Sequence, residues 1–129
     1  MQFAILIKSD PNQSPAVLSA LKFTRAALEA GHSIQRIFFY QDAVTTASDM
    51  LSPPQNEERV GELWSELAAK YDLELVVCIA AAQRRGVWSE AEAGRLGYKA
   101  HNLRKDYTIS GLGQLIEASI ESDRLVSFG

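Results

Sequence analysis

Short apolar runs alternate along this chain with stretches in which apolar residues return every three or four positions, and the two periods predict different elements. Phe3 to Ile7 is a run bounded by Lys8-Ser9-Asp10-Pro11-Asn12, the pattern of a buried strand leaving through a turn. Next, Ser14 can cap and Pro15 can take the first helical position; Val17, Leu18, Leu21 and Leu28 then share one face, and Gly31 offers a left-handed stop. Ile34, Ile37, Phe38, Phe39 and Tyr40 predict a second strand, with polar Gln35 and Arg36 near its beginning, where the edge of the sheet meets water. From Ala43 to Asn56 the periodicity is weak, and Ser52-Pro53-Pro54 stops any helix attempted around Val44 to Met50, so a mobile excursion above the sheet is expected.

Asn56 is positioned to cap the strongest helical pattern of the chain, Val60, Leu63, Trp64, Leu67 and Tyr71, with Glu57 and Glu58 complementing the macrodipole in its first turn. The run Leu73-Glu74-Leu75-Val76-Val77-Cys78-Ile79 reads as a buried parallel strand feeding a basic loop, Ala80-Ala81-Ala82-Gln83-Arg84-Arg85-Gly86. Ser89-Glu90-Ala91-Glu92 has the capping-box spacing of a short helix ending around Gly94 to Gly97, and Tyr107-Thr108-Ile109 is a weaker strand. Ser110-Gly111-Leu112-Gly113 precedes a helix with Leu112, Leu115, Ile116 and Ile120 inward, before the final run Leu125-Val126-Ser127-Phe128. Strands and helices thus alternate, which predicts an α/β fold with a mainly parallel sheet of about five strands and helices on both faces. No internal repeat, linker or low-complexity segment divides it, so residues 1–129 read as a single domain.

At 129 residues and 47% apolar composition, one core can bury roughly two-thirds of the unfolded surface. Cys78 is the only cysteine, which rules out an internal disulfide, and with His32 and His101 it cannot complete a four-ligand zinc site; no metal or cofactor is expected. A reducing, cytoplasmic setting fits this usage. A net charge of -3 argues against direct nucleic-acid binding, and the chain has neither a signal-peptide pattern at its start nor an apolar stretch of membrane-spanning length.

Cys78 closes its apolar run where small residues and then two arginines begin, and open α/β sheets bind ligands at the carboxyl ends of strands. A lone cysteine in such a run is more often a small core residue than a reactive one. Against that stand Arg84 and Arg85, which can stabilise a thiolate or steer a partner if the loop folds back, although exposed basic pairs are by default solvated. Trp88 is either a hydrophobic anchor or part of an interface, and Gly111-Leu112-Gly113 lacks the glycine spacing and lysine of a nucleotide loop. His101 is a weak candidate for a base to Cys78, and Asp10 and Asp42, at the exits of the first two strands, are more often turn formers. No second thiol is present to resolve a mixed disulfide, which turns the chemistry from disulfide exchange toward carriage of sulfur as Cys-S-SH.

Nearly the whole chain resembles the DsrE/TusD family of sulfurtransferase subunits. The resemblance lies in Phe3-Ala4-Ile5, Phe38-Phe39-Tyr40, the segment from Cys78 through Gln83-Arg84-Arg85-Gly86 to Val87, Glu92-Ala93-Gly94-Arg95-Leu96-Gly97, Asn102-Leu103, Ser110-Gly111-Leu112-Gly113, Glu117-Ala118-Ser119 and Asp123-Arg124. It implies a three-layer α/β/α domain whose Cys78 carries a persulfide inside a heterohexamer with TusB-like and TusC-like subunits. It further implies a TusA-like sulfur donor, a TusE-like acceptor, and 2-thiolation of the wobble uridine of tRNA, which the chain itself meets only indirectly. A sulfur-oxidation role of the DsrE type and a non-catalytic assembly role are the alternatives.

Overall fold

Five strands, β1 (Gln2–Ile7), β2 (Ser33–Phe39), β3 (Leu75–Cys78), β4 (Tyr107–Ser110) and β5 (Arg124–Phe128), form one sheet in the computed structural model, which describes residues 1–129. Every pairing is parallel and the order is β4-β3-β2-β1-β5. The chain steps from β1 through β4 in one direction and then returns across the sheet to β5. Because parallel crossovers are right-handed, the return puts its helix on the opposite face from the others. On one face lie α1 (Ala16–Glu29) and α2 (Val60–Tyr71), which pack on each other; the other face carries α5 (Gly113–Glu121). Two short helices, α3 (Ile79–Arg84) and α4 (Glu90–Arg95), link β3 to β4. The α/β class, the parallel sheet and the number of strands agree with the sequence pattern.

The core lies mainly between the sheet and α1/α2. Trp64 of α2 is fully buried, meets Phe39 edge-on at 5.8 Å and donates its indole N–H to Val17 O at 3.3 Å. The ends of α1 follow the sequence signals closely: Ala16 N–H donates to Ser14 Oγ at 3.1 Å, and Gly31, with φ of 91°, closes the helix as His32 N–H reaches back to Ala27 O. The capping box of α4 is half formed: Glu92 N–H donates to Ser89 Oγ at 3.2 Å, while the Glu92 carboxylate turns to Arg95.

Five expectations need correction. Arg36 does not meet water at a sheet edge, because β2 is the central strand and α5 covers it; the side chain is buried and satisfied by Glu74 at 3.1 Å, Gln114 O at 2.8 Å and Glu117 at 3.6 Å. The excursion after β2 begins as a 3-10 helix, Gln41–Ala47, with Ala43, Val44 and Ala47 fully buried, so tertiary packing holds a segment whose own periodicity is weak. Helix α2 starts at Val60, not after Asn56: Glu57 N–H bonds Pro54 O in a preceding turn, leaving Glu62 as the acidic residue of the first turn. The basic loop after Cys78 is helical as α3. Finally, the apolar stripe of α5 points mostly outward. Lying alone on its face, α5 buries Ala118, packs Leu115 on the core, sets the exposed Glu117 carboxylate 3.6 Å from Arg36, and leaves Leu112, Ile116 and Ile120 exposed.

Candidate functional site

Cys78 is the last residue of β3 and stands in register with Ser110, the last of β4, at the carboxyl edge of the sheet. It is also the N-cap residue of α3, which begins at the next position. Within α3 the residues turned inward are Ala81 and Ala82, three and four positions after Cys78. All three are buried, in one cluster with Ala43, Val44 and Ala47 of the 3-10 helix against which α3 packs. The thiol is therefore covered, with Cys78 only 2% exposed.

The two arginines separate. Arg85 folds back over α3: its Nε donates to Asp42 Oδ1 at 2.8 Å and its Nη1 to Ala81 O at 3.1 Å. Arg84 is exposed and makes neither a hydrogen bond nor an ion pair. Both line an open cleft of about 350 Å³ with Tyr40, Gln41, Ala80 and Ala81. Gln41 takes a left-handed backbone, φ 51°, which turns the chain sharply from β2 into the 3-10 helix and brings Asp42 to Arg85. This cleft adjoins the covered thiol through α3.

The other candidates fall away from Cys78 or serve the scaffold. His101 is exposed, and the acid nearest it is Glu90 at 3.9 Å, so no Cys-His pair forms. Asp10 is a turn former, accepting from Asn12 N–H at 2.7 Å. Trp88 is half-buried and stacks edge-on with Tyr98 at 5.0 Å. Gly111 to Gly113 make the turn into α5, where Gln114 N–H bonds Gly111 O at 3.2 Å.

One structural organiser near the site was not found from the sequence. Asn102 accepts from Trp88 N–H at 2.8 Å and donates to Gly86 O at 3.0 Å and Ser48 Oγ at 2.9 Å. It thereby fixes the chain just after α3. Its partners come from two distant loops, so no local pattern announces it.

Taken together, these features define an all-parallel α/β domain with its single thiol at a strand end. The chain belongs to the DsrE/DsrF-like family, whose model matches residues 1–128. It is 50% identical over 129 residues to a DsrE protein of Allochromatium vinosum named, provisionally, as a sulfurtransferase, covering all of this chain and 99% of that one. A protein of Pseudomonas aeruginosa named sulfurtransferase TusD homolog is also 50% identical, over all of this chain and 98% of its own length. The crystal structure of the YchN protein from E. coli superposes with a TM-score of 0.76 at 18% identity, covering 99% of this chain and 100% of that one, and so shares the fold.

Proposed function

We propose that this chain is a sulfur carrier that holds sulfane sulfur as a persulfide on Cys78. The Cys78 thiolate attacks the outer sulfur of a protein persulfide; the donor S–S bond breaks, the donor leaves as a thiolate, and Cys78 becomes Cys78-S-SH. An acceptor thiolate then attacks that outer sulfur and Cys78 leaves as the thiolate. Sulfur changes hands without net oxidation or reduction. The observation that carries this reading is a lone thiol at the carboxyl end of a buried parallel strand, in a chain half identical over its full length to two relatives bearing sulfurtransferase names. Having no second cysteine, the chain cannot discharge the persulfide into an internal disulfide.

The proposed setting is a cytoplasmic relay in which the chain sits in a heterohexamer with TusB-like and TusC-like subunits, receives sulfur from a TusA-like donor and passes it to a TusE-like acceptor for 2-thiolation of tRNA. The exposed stripe Leu112, Ile116 and Ile120 supports assembly with other chains, since soluble monomers rarely leave such residues grouped on the surface. The net charge of -3 supports contact with tRNA through partners only. No helix is long and apolar enough to cross a membrane. A DsrE-type role in sulfur oxidation is the second reading, kept because the relative named DsrE and the one named TusD homolog are each 50% identical to this chain. The burial of Cys78 favours a third, an inert thiol in an assembly subunit.

Mass spectrometry of the native complex after treatment with a persulfidated donor tests the proposal. One added sulfur atom on this chain, absent from Cys78→Ser, is the expected result. Equal labelling of both proteins overturns it, and the co-purifying chains distinguish the two pathways.

A further inference from the structure

A thiol that must meet sulfur atoms on other proteins is here turned into the interior, so transfer needs an opening step. The cover is α3. It is six residues long, far below the length at which a helix is stable by itself, and the only residues it buries are Ala81 and Ala82. Alanine side chains bury little apolar area, so packing alone holds α3 down weakly. Its two ends are fixed, at one side by β3 and at the other by Asn102, which grips Gly86 O and Trp88 N–H. What joins the body of α3 to the 3-10 helix beyond alanine packing is the 2.8 Å ion pair between Arg85 and Asp42, with Arg85 also bonded to Ala81 O. Segments with few apolar contacts and exposed ties are those that open locally without global unfolding.

We infer that Asp42 is a positioning residue for sulfur transfer: through Arg85 it clamps α3 onto the 3-10 helix and keeps Cys78 covered until a partner competes for the arginine. This rests on the reading of Cys78 as the transfer thiol. Arg85 thereby acts as the latch of the cover, while Arg84 stays free on the cleft rim to meet the incoming partner. An acidic group on a donor or acceptor that took Asp42's position on Arg85 would release α3 as it docked.

The test is the rate of iodoacetamide alkylation of the native protein, with thermal stability followed in parallel. Asp42→Asn should speed alkylation by up to about fivefold, the factor that corresponds to ~1 kcal/mol for an exposed ion pair. Added salt should accelerate the wild type and leave Asp42→Asn nearly unchanged, because screening acts on the pair that the variant lacks. The charge exchange Asp42→Arg with Arg85→Asp should restore slow alkylation, a rescue that general loosening of the fold would not give. Should Asp42→Asn fail to fold, the wild type still decides: local opening gives a rate nearly independent of low urea, whereas global unfolding gives one that rises with the equilibrium m-value. Equal rates in both proteins with no effect of salt, or a urea dependence matching global unfolding, would overturn the inference. Alkylation reports only the cover of Cys78 and sulfur loading reports only its chemistry, so failure of one reading is distinguishable from failure of the other.

Discussion

Cys78 and Ser110 end neighbouring parallel strands at the same level of the sheet, so the only thiol of the chain stands at the sheet's carboxyl edge while remaining buried. Position at that edge is what open α/β sheets use for ligands, and burial is what a core cysteine prefers. Substitution separates the two. Cys78→Ser and Cys78→Ala should both abolish uptake of sulfur from a persulfidated donor, read by intact-mass measurement. Because Cys78 is the N-cap residue of α3, a serine hydroxyl there can accept an amide hydrogen bond from the first turn, so Cys78→Ser should cost less stability than Cys78→Ala, by about 0.5–2 kcal/mol. Retained sulfur uptake in either variant would move the chemistry to another group.

The adjacent arginines should behave differently although they are neighbours in sequence. Arg84 is exposed and free of partners on the cleft rim, so Arg84→Ala should change stability by no more than about 0.5 kcal/mol. If the rim steers an acidic partner, the same variant should slow sulfur transfer at low salt and converge on the wild-type rate at high salt. Transfer kinetics across a salt series check this; equal rates at low salt would leave Arg84 a solvated charge. For Arg85→Ala, the bonds to Asp42 and Ala81 O are lost, and alkylation of Cys78 should accelerate.

The strand runs and the capping signals at Ser14, Gly31 and Ser89 were legible because they are local, whereas Asn56 lies in a turn ahead of α2 and caps nothing. Phe3 to Ile7 could only be a short buried run, and Ser14, Gly31 and Ser89 each act on amides within a few residues of themselves. The site was legible as far as Cys78, because the end of a strand can be read from where an apolar run stops. What the sequence concealed was set by contacts between distant segments. Arg36 looks like a sheet-edge residue until β2 proves central and Glu74, Gln114 and Glu117 converge on it. Ala43, Val44 and Ala47 have no periodicity of their own and become core because β2, β3, α2 and α3 all pack against them. Asp42 looks like a turn former in sequence for the same reason, its partner being Arg85, 43 residues later.

Helix α5 makes a prediction about assembly. Its apolar positions were expected to face inward, yet Ile116 is 59% and Ile120 76% exposed. Replacing both by serine removes little buried surface from the isolated chain, so its melting temperature should hardly change. In the proposed complex the same change should weaken association, because apolar groups at the centre of an interface contribute most of its affinity. Co-expression with the partner subunits followed by sedimentation analysis checks this. An unchanged complex would mean that the stripe is not at a subunit contact.

Tyr107 gives a prediction in pH. Its hydroxyl donates to Gly61 O at 2.9 Å, beneath α2, and the residue is buried. Gly61 is required there: a Cβ would lie 2.6 Å from Thr46 O and 2.8 Å from Arg104 Nε. Burial pushes the phenol pKa well above its ordinary value, with a smaller contribution from Asp106, against lowering by Arg104 and by a hydrogen bond with Ser65. In the unfolded chain the same phenol titrates near about 10. Below that pH both states hold the proton and Tyr107 contributes no slope. Above it the unfolded state loses the proton while the folded state keeps it, so the unfolded state binds fewer protons and stability falls as pH rises, by at most ~1.4 kcal/mol per pH unit from this group. Tyr107→Phe removes the group. The variant should be less stable than wild type at neutral pH by roughly 0.5–1.5 kcal/mol, the worth of the lost hydrogen bond. Its stability should then decline less steeply above about pH 10, so that the two curves converge. Urea unfolding of both proteins across the alkaline range measures this directly, and parallel curves would show that the buried phenol is not the source of the alkaline loss.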